Sequence, residues 1–283
     1  MYTWDGDVAG APTLVSNAPT DVNYAFVSDN TLVTLGSGAE NRIKASDQGD
    51  ITQWTGSSTN AVFTDDIEGA GRLLSHAPVD DYNLIFSENQ TIKFRRIQSD
   101  FIWSIEVIDQ NIGIIAPMAR VTVGGVPYWM GVNNFYRFRG GQVEVVPSNS
   151  QKESTILRYV FDNLNYGQKS KCFAWHNKLY NEVWFHYPSA SSNECDRVAR
   201  VGLNDFHWVT DTWDRTAAEY PFTETHEPRL ANQGILYRHE VGDDADGSAL
   251  AWSITTNLRN LSNRLTDVVS FIPDNVLSAG NRS

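Results

Sequence analysis

Two stretches of this chain repeat one phrase, and the repetition limits what it can fold into. Asn83 to Arg96 is NLIFSENQTIKFRR, and Pro127 to Arg139 is PYWMGVNNFYRFR. Each sets an apolar strand, a polar turn with an asparagine, and an aromatic strand closing on arginine. Turns such as SENQ and GVNN accept left-handed backbone, so both copies read as β-hairpins. A weaker third copy is Tyr24 to Leu35, YAFVSDNTLVTL. The turn asparagines Asn30, Asn89 and Asn134 stand 59 and 45 residues apart. Short strands recurring at such a period build propeller blades, because one four-stranded blade cannot cover both its apolar faces alone. The expected fold class is all-β: β-propeller-like antiparallel hairpins in a single domain over residues 1–283, whole or truncated. More than half of the ordered residues should be strand.

The remainder of the chain carries the same signal. KCFAWHNKLYNEVWFHYPSA predicts a further hairpin turning at His176, Asn177 and Lys178. In its second strand Val183, Phe185 and Tyr187 fall on one face, and Trp184 and His186 on the other. The period changes once. In QKESTILRYVFDNLN, the residues Ile156, Leu157, Val160, Phe161 and Leu164 share one helical face. That pattern predicts a helical insertion near 152–165, clearest from Ser154 to Asn165, with Ser150 or Ser154 as its cap. Nine Trp, eleven Tyr and thirteen Phe supply large contacts between strands and sheets, and Trp103, Trp129 and Trp184 are expected between sheets.

Asp47, Gly49, Thr52 and Trp54, in RIKASDQGDITQWT, approach the Ser-x-Asp-x-Gly-x-Thr-Trp pattern of propeller hairpins, with Asp50 and Gln53 disturbing the spacing. A structural role follows: the carboxylate accepts backbone N–H groups in the turn and the indole wedges between sheets. Arg95, Arg96 and Arg137 stand at strand ends, where they lie over aromatics or pair with carboxylates.

Catalytic signatures are missing. The chain holds no GxSxG, HExxH, P-loop or GxGxxG, and its six histidines are scattered. Asp244-Ala245-Asp246-Gly247 looks like the middle of a calcium loop, yet Gly242 and Ser253 replace its first and last ligands, so a turn is expected there. Neither enzyme activity, nor a metal, nor a cofactor is expected. Two cysteines, Cys172 and Cys195, make no disulfide framework or zinc spacing and fit free thiols in a reducing cytoplasm. The start MYTWDGDVAG has neither the basic nor the apolar region of a secretory signal, and no apolar run nears the roughly 18 residues of a membrane span. A net charge of -12 argues against gripping nucleic acid through its phosphates. Acidic clusters stand at Asp65, Asp66 and Glu68 and at Asp243 and Asp244; they read equally as plain solvated loops, and the resemblance given below makes them the candidates to face a channel. The abrupt aromatic start and the LSAGNRS end suggest a piece of a longer polypeptide, or edges completed by neighbours.

SDQGDITQW, RLLSHAPVDDYNLIFSENQTIKFRR, IGIIAPMARVTVGGVPYWMGVNNFYRF, YVFDNLN, NEVWFHYPSASSNECDR and LYRHEVGDDADG follow one another in this order. In these phrases, from about Asn17 to Gly247, the chain resembles a family of bacteriophage tail virion proteins. That family is similar to the packaged-DNA stabilisation, tail hub and nozzle proteins of short-tailed phages. The resemblance implies a propeller subunit of a virion ring, assembled in the host cytoplasm, with six copies around the DNA channel. The ring would sit below the portal and adaptor and contact other tail proteins, with DNA as passing cargo. Two other readings compete: a sialidase-like propeller glycosidase, which needs three arginines around a substrate carboxylate, and a receptor-binding tail-fibre module.

Overall fold

The computed structural model describes residues 1–97, 103–148, 153–219, 227–241, 244–245 and 248–249. A small hairpin comes first, β1 (Tyr2–Thr3) with β2 (Thr13–Leu14). Four antiparallel meanders follow, each made of four consecutive strands. The first is β3 (Tyr24–Ser28), β4 (Thr31–Leu35), β5 (Arg42–Ala45) and β6 (Phe63–Asp66). The second is β7 (Leu73–Val79), β8 (Tyr82–Ser87), β9 (Thr91–Arg96) and β10 (Trp103–Asp109). The third is β11 (Arg120–Val123), β12 (Val126–Met130), β13 (Phe135–Arg139) and β14 (Gln142–Val145). After helix α1 (Glu153–Phe161) comes the fourth, β15 (Phe173–Asn177), β16 (Glu182–Tyr187), β17 (Arg197–Gly202) and β18 (Trp208–Thr212). A three-stranded sheet, β19 (Ala217–Glu219), β20 (Arg229–Asn232) and β21 (Ile235–Arg238), continues the series, and β22 (Asp244–Ala245) pairs with β23 (Ser248–Ala249). The architecture is all-β and propeller-like, with 47% strand and 5% helix, so strand falls just short of the expected half.

First strands of successive blades lie side by side: β7 touches β3 and β11, β11 touches β15, and β15 touches β19. Met118, just before β11, forms a parallel bridge to Phe173. The first strand of each blade is therefore innermost and the fourth is at the rim. The blades also correct the repeat. Asn89 and Asn134 turn between second and third strands, whereas Asn30 turns between first and second. The Tyr24 to Leu35 hairpin is real but stands one strand out of step. True blade starts are Tyr24, Leu73, Arg120, Phe173 and Ala217, a spacing of 44 to 53 residues.

Three apolar cores fill the gaps between blades. Strand alternation decides which side chain enters which core. In β8, Ile85 joins Leu35 and Ile43 of the first blade, while Leu84 and Phe86 join Trp129 of the third. In β16, Val183, Phe185 and Tyr187 join the central core and Trp184 joins the core toward the fifth sheet. That is the division of faces expected from the sequence.

Helix α1 covers the ends of the third and fourth blades. Val160 and Leu164 are buried, and Ile156, Leu157 and Phe161 pack against the same core. It stops at Phe161, short of the expected Asn165. Asn163 Nδ2 donates to the Tyr159 carbonyl at 2.8 Å, and Asn165 Oδ1 caps the amide of Gly167 in a following 3-10 turn, Tyr166–Lys171. Asparagine side chains thus take over backbone groups that a longer helix would have used.

Candidate functional site

Charge is sorted by strand. The third strands β5, β9, β13, β17 and β21 carry ten Lys and Arg and no carboxylate. The rim strands β6, β10, β14 and β18 carry six carboxylates and no Lys or Arg. Register places them opposite one another, Arg42 beside Asp66, Lys93 beside Glu106 and Arg137 beside Glu144. Arg42 grips Asp66 with two bonds, of 2.6 and 2.7 Å, and this pairing holds the Asp66 carboxyl below its usual range. Arg137 Nη2 lies 2.8 Å from Glu144 Oε2, while the Lys93 pair is looser at 3.9 Å. In the fourth blade Arg197 donates instead to Thr212 Oγ1 at 2.7 Å.

Asp65 and Asp66 lie in β6 at the rim, and Glu68 in the loop after it, all three exposed. Asp244 opens β22; Asp243 lies outside the described residues. The turn expected at Asp246 and Gly247 lies outside the described residues. Asp47 accepts the amides of Gln48 and Ala61, both at 2.8 Å, and Gly49 has φ 76°. This is the shaping role expected of the turn. Thr52 bonds to Asp50, not Asp47, through both its amide and hydroxyl. Trp54 does not wedge between sheets: it is half-buried, belongs to none of the apolar cores, and donates to the Ile51 carbonyl at 2.7 Å, closing its own loop. The extra residues at Asp50 and Gln53 turn the indole back on the loop.

A second arrangement, at one end of the inner strands, left no mark in the sequence. A cavity of about 190 Å³ is lined by Asn23, Arg72, Leu74, Glu88, Ile115, Pro117, Lys169 and Ser170. These residues come from the segments entering β3, β7, β11 and β15, together with the turn after β8. No contiguous motif could have announced it. Arg72 Nη2 donates to Asn23 Oδ1 at 3.0 Å, and Asn23 is packed against Gly36, where a Cβ would sit 2.1 Å from its Nδ2. Among the described residues neither Arg72 nor Lys169 has a carboxylate within 4.0 Å.

A polar chain crosses the inner strands from this cavity. Ser75 Oγ donates to the Pro117 carbonyl at 2.7 Å, Arg120 Nε donates to Ser75 Oγ at 3.1 Å, and Arg120 Nη2 donates to Tyr24 Oη at 2.9 Å. His76 stacks on Phe26 at 3.9 Å. Burial, and then the nearby Arg120 charge, pull the imidazole down to about 4, so it is neutral at pH 7. Both cysteines are buried free thiols, and burial pushes Cys195 up to about 12. They are poor nucleophiles.

Fold and site together define a β-propeller-like protein with a basic axial pocket and acidic rim strands. No protein-family model matches the chain, and no curated protein matches it. Solved structures similar in fold include the extracellular domain of BT4673 from B. thetaiotaomicron, at TM-score 0.48 and 11% identity over 79% of this chain and 27% of that one. The AfRom2 CNH domain follows at TM-score 0.46 and 10% identity, covering 83% and 74%. The N-terminal domain of Nup159 gives TM-score 0.44 and 9% identity, covering 78% and 61%. The chain spans about a quarter of the BT4673 domain's length. Its propeller-like class rests on its own consecutive meanders.

Proposed function

We propose that the chain is a structural protein of a bacteriophage tail, a subunit of a hub or nozzle ring below the portal and adaptor. The observation that carries this reading is the all-acidic rim, six carboxylates and no Lys or Arg on the fourth strands, in a chain of net charge -12. Three of the six, Asp66, Glu106 and Glu144, are paired with third-strand cations, so it is the chain's overall charge of -12 that repels phosphate, as suits a conduit that passes DNA without holding it. The acids also blunt the open strand edges against pairing with a second copy's edges. Ring contacts then fall to loops and blade ends, where Leu179 and Tyr180 are exposed apolar side chains. The resemblance in sequence phrases adds the tail setting, the six-fold ring, the neighbouring tail proteins and the virion location.

Imaging virions that carry a label on this subunit tests the reading. An axial ring supports it; a peripheral fibre position, or absence from the particle, overturns it. Purified protein should fail to shift duplex DNA at physiological salt, and measurable binding would remove the repulsive conduit. Glycan hydrolysis by the same preparation would replace the proposal with a glycosidase.

A further inference from the structure

We propose that the axial cavity is a binding site for a small zwitterionic amino acid with an apolar side chain. The lining supplies three kinds of partner. Arg72 and Lys169 are cations with no carboxylate within 4.0 Å among the described residues, so both stand ready for an anion. Glu88, half-buried in the same lining, likewise has no cation within that distance. Leu74, Ile115 and Pro117 form an apolar wall, with Leu74 and Ile115 buried.

A simple anion satisfies the cations but faces Glu88 across the same space, and a dianion faces it at greater cost. A molecule with one carboxylate and one ammonium satisfies both sides. A carboxylate between a guanidinium and an ammonium makes charge-assisted hydrogen bonds, about twice as strong as neutral ones. The volume of about 190 Å³ suits a molecule the size of leucine or valine. The site is partly organised in advance. Asn23, packed against Gly36, accepts one hydrogen bond from the exposed Arg72 guanidinium and so removes part of the side-chain freedom that binding would otherwise cost.

Titration of the full chain with L-leucine, followed by NMR, tests the proposal. 4-Methylpentanoate, which is leucine without the amine, and isoamylamine, which is leucine without the carboxylate, serve as comparison probes. Leucine should saturate one site per chain, and both comparison probes should bind at least ~10-fold more weakly, as for loss of a hydrogen bond to a charged group. Arg72→Ala and Lys169→Ala should each weaken leucine ~10-fold, and Glu88→Gln should weaken leucine while leaving 4-methylpentanoate as it was or tighter. Arg72→Gln, which keeps a donor for Asn23, replaces Arg72→Ala if that variant does not fold. Unsaturable leucine, 4-methylpentanoate binding as tightly as leucine, or unchanged binding in the Arg72 and Lys169 variants would each overturn the assignment.

Discussion

Arg137 and Glu144 face each other across the third and fourth strands of the third blade, Nη2 2.8 Å from Oε2. The arginine is 9% exposed and lies over the Phe206 ring at 5.1 Å, so its stem and plane are packed while its charge is answered at the rim. The same third-to-fourth-strand pairing recurs as Arg42 with Asp66 and Lys93 with Glu106. A motif visible as an arginine ending an aromatic strand is thus half of a cross-strand pair whose other half lies in the next strand.

A double-mutant cycle on Arg137→Ala and Glu144→Ala should give a coupling of about 0.5–1 kcal/mol in denaturant unfolding. Arg137→Ala alone should cost more than Glu144→Ala, because it also removes the contact with Phe206. Equal single-mutant costs would mean that the packing contributes nothing.

Trp129, Trp103 and Trp184 each sit in a different inter-blade core. Trp103 stacks on Phe94 at 4.6 Å, Trp129 packs on Phe86 at 4.9 Å, and Trp184 packs on Trp213 at 4.8 Å. Truncation of any one to Ala should cost about 3–5 kcal/mol. Thermal melts of the three variants check this, and wild-type stability in all of them would assign the rings to a binding face instead.

His186 is fully buried, stacks on Phe173 at 4.4 Å and accepts the Trp175 indole N–H at 3.1 Å. Burial, then the charges of Arg215 and His239, pull it down to about 3. A histidine depressed in the folded state binds its proton only after unfolding, so stability falls as pH drops below the unfolded value of ~6.5 and keeps falling toward about 3. This residue alone should contribute a slope of about 1.4 kcal/mol per pH unit in that window. Denaturant melts from pH 7.5 to 4.5 should show at least that slope, since His76 and His239, both pulled down to about 4, add to it, and His186→Phe should remove about 1.4 kcal/mol per pH unit of it. An unchanged slope would show that the imidazole is not held neutral.

Gly113 lies where the loop entering the third blade passes the second. A Cβ there would meet Ser87 O at 2.3 Å and the Glu88 carbonyl carbon at 2.4 Å, both backbone atoms. The Ile114 amide donates to that same Ser87 carbonyl at 2.9 Å, and Trp129 Nε1 donates to Gly113 O at 3.2 Å, so the loop has no room to withdraw. Gly113→Ala should cost at least about 1–3 kcal/mol. Gly56→Ala, with open space around its Cβ, should stay within about ±0.5 kcal/mol in the same melts.

Local pattern carried the strands, the aromatic hairpins, the helix near Glu153 and the two-faced burial of Val183 to Tyr187, because alternation and helical period are properties of neighbouring residues. It also carried the turn-shaping role of Asp47, since a carboxylate reaching nearby amides is a short-range event. Blade register was beyond it: Asn30 and Asn89 look alike as turn residues, and only the pairing of four strands shows that they occupy different turns. Trp54 was misread for a related reason, because two extra residues decide whether an indole enters a core or folds back on its loop. The axial pocket lay wholly beyond the sequence. Asn23, Arg72, Glu88 and Lys169 are far apart along the chain, and each alone resembles an ordinary surface residue. Only the side-by-side arrangement of the inner strands brings them to one mouth, where among the described residues neither cation has a carboxylate within 4.0 Å.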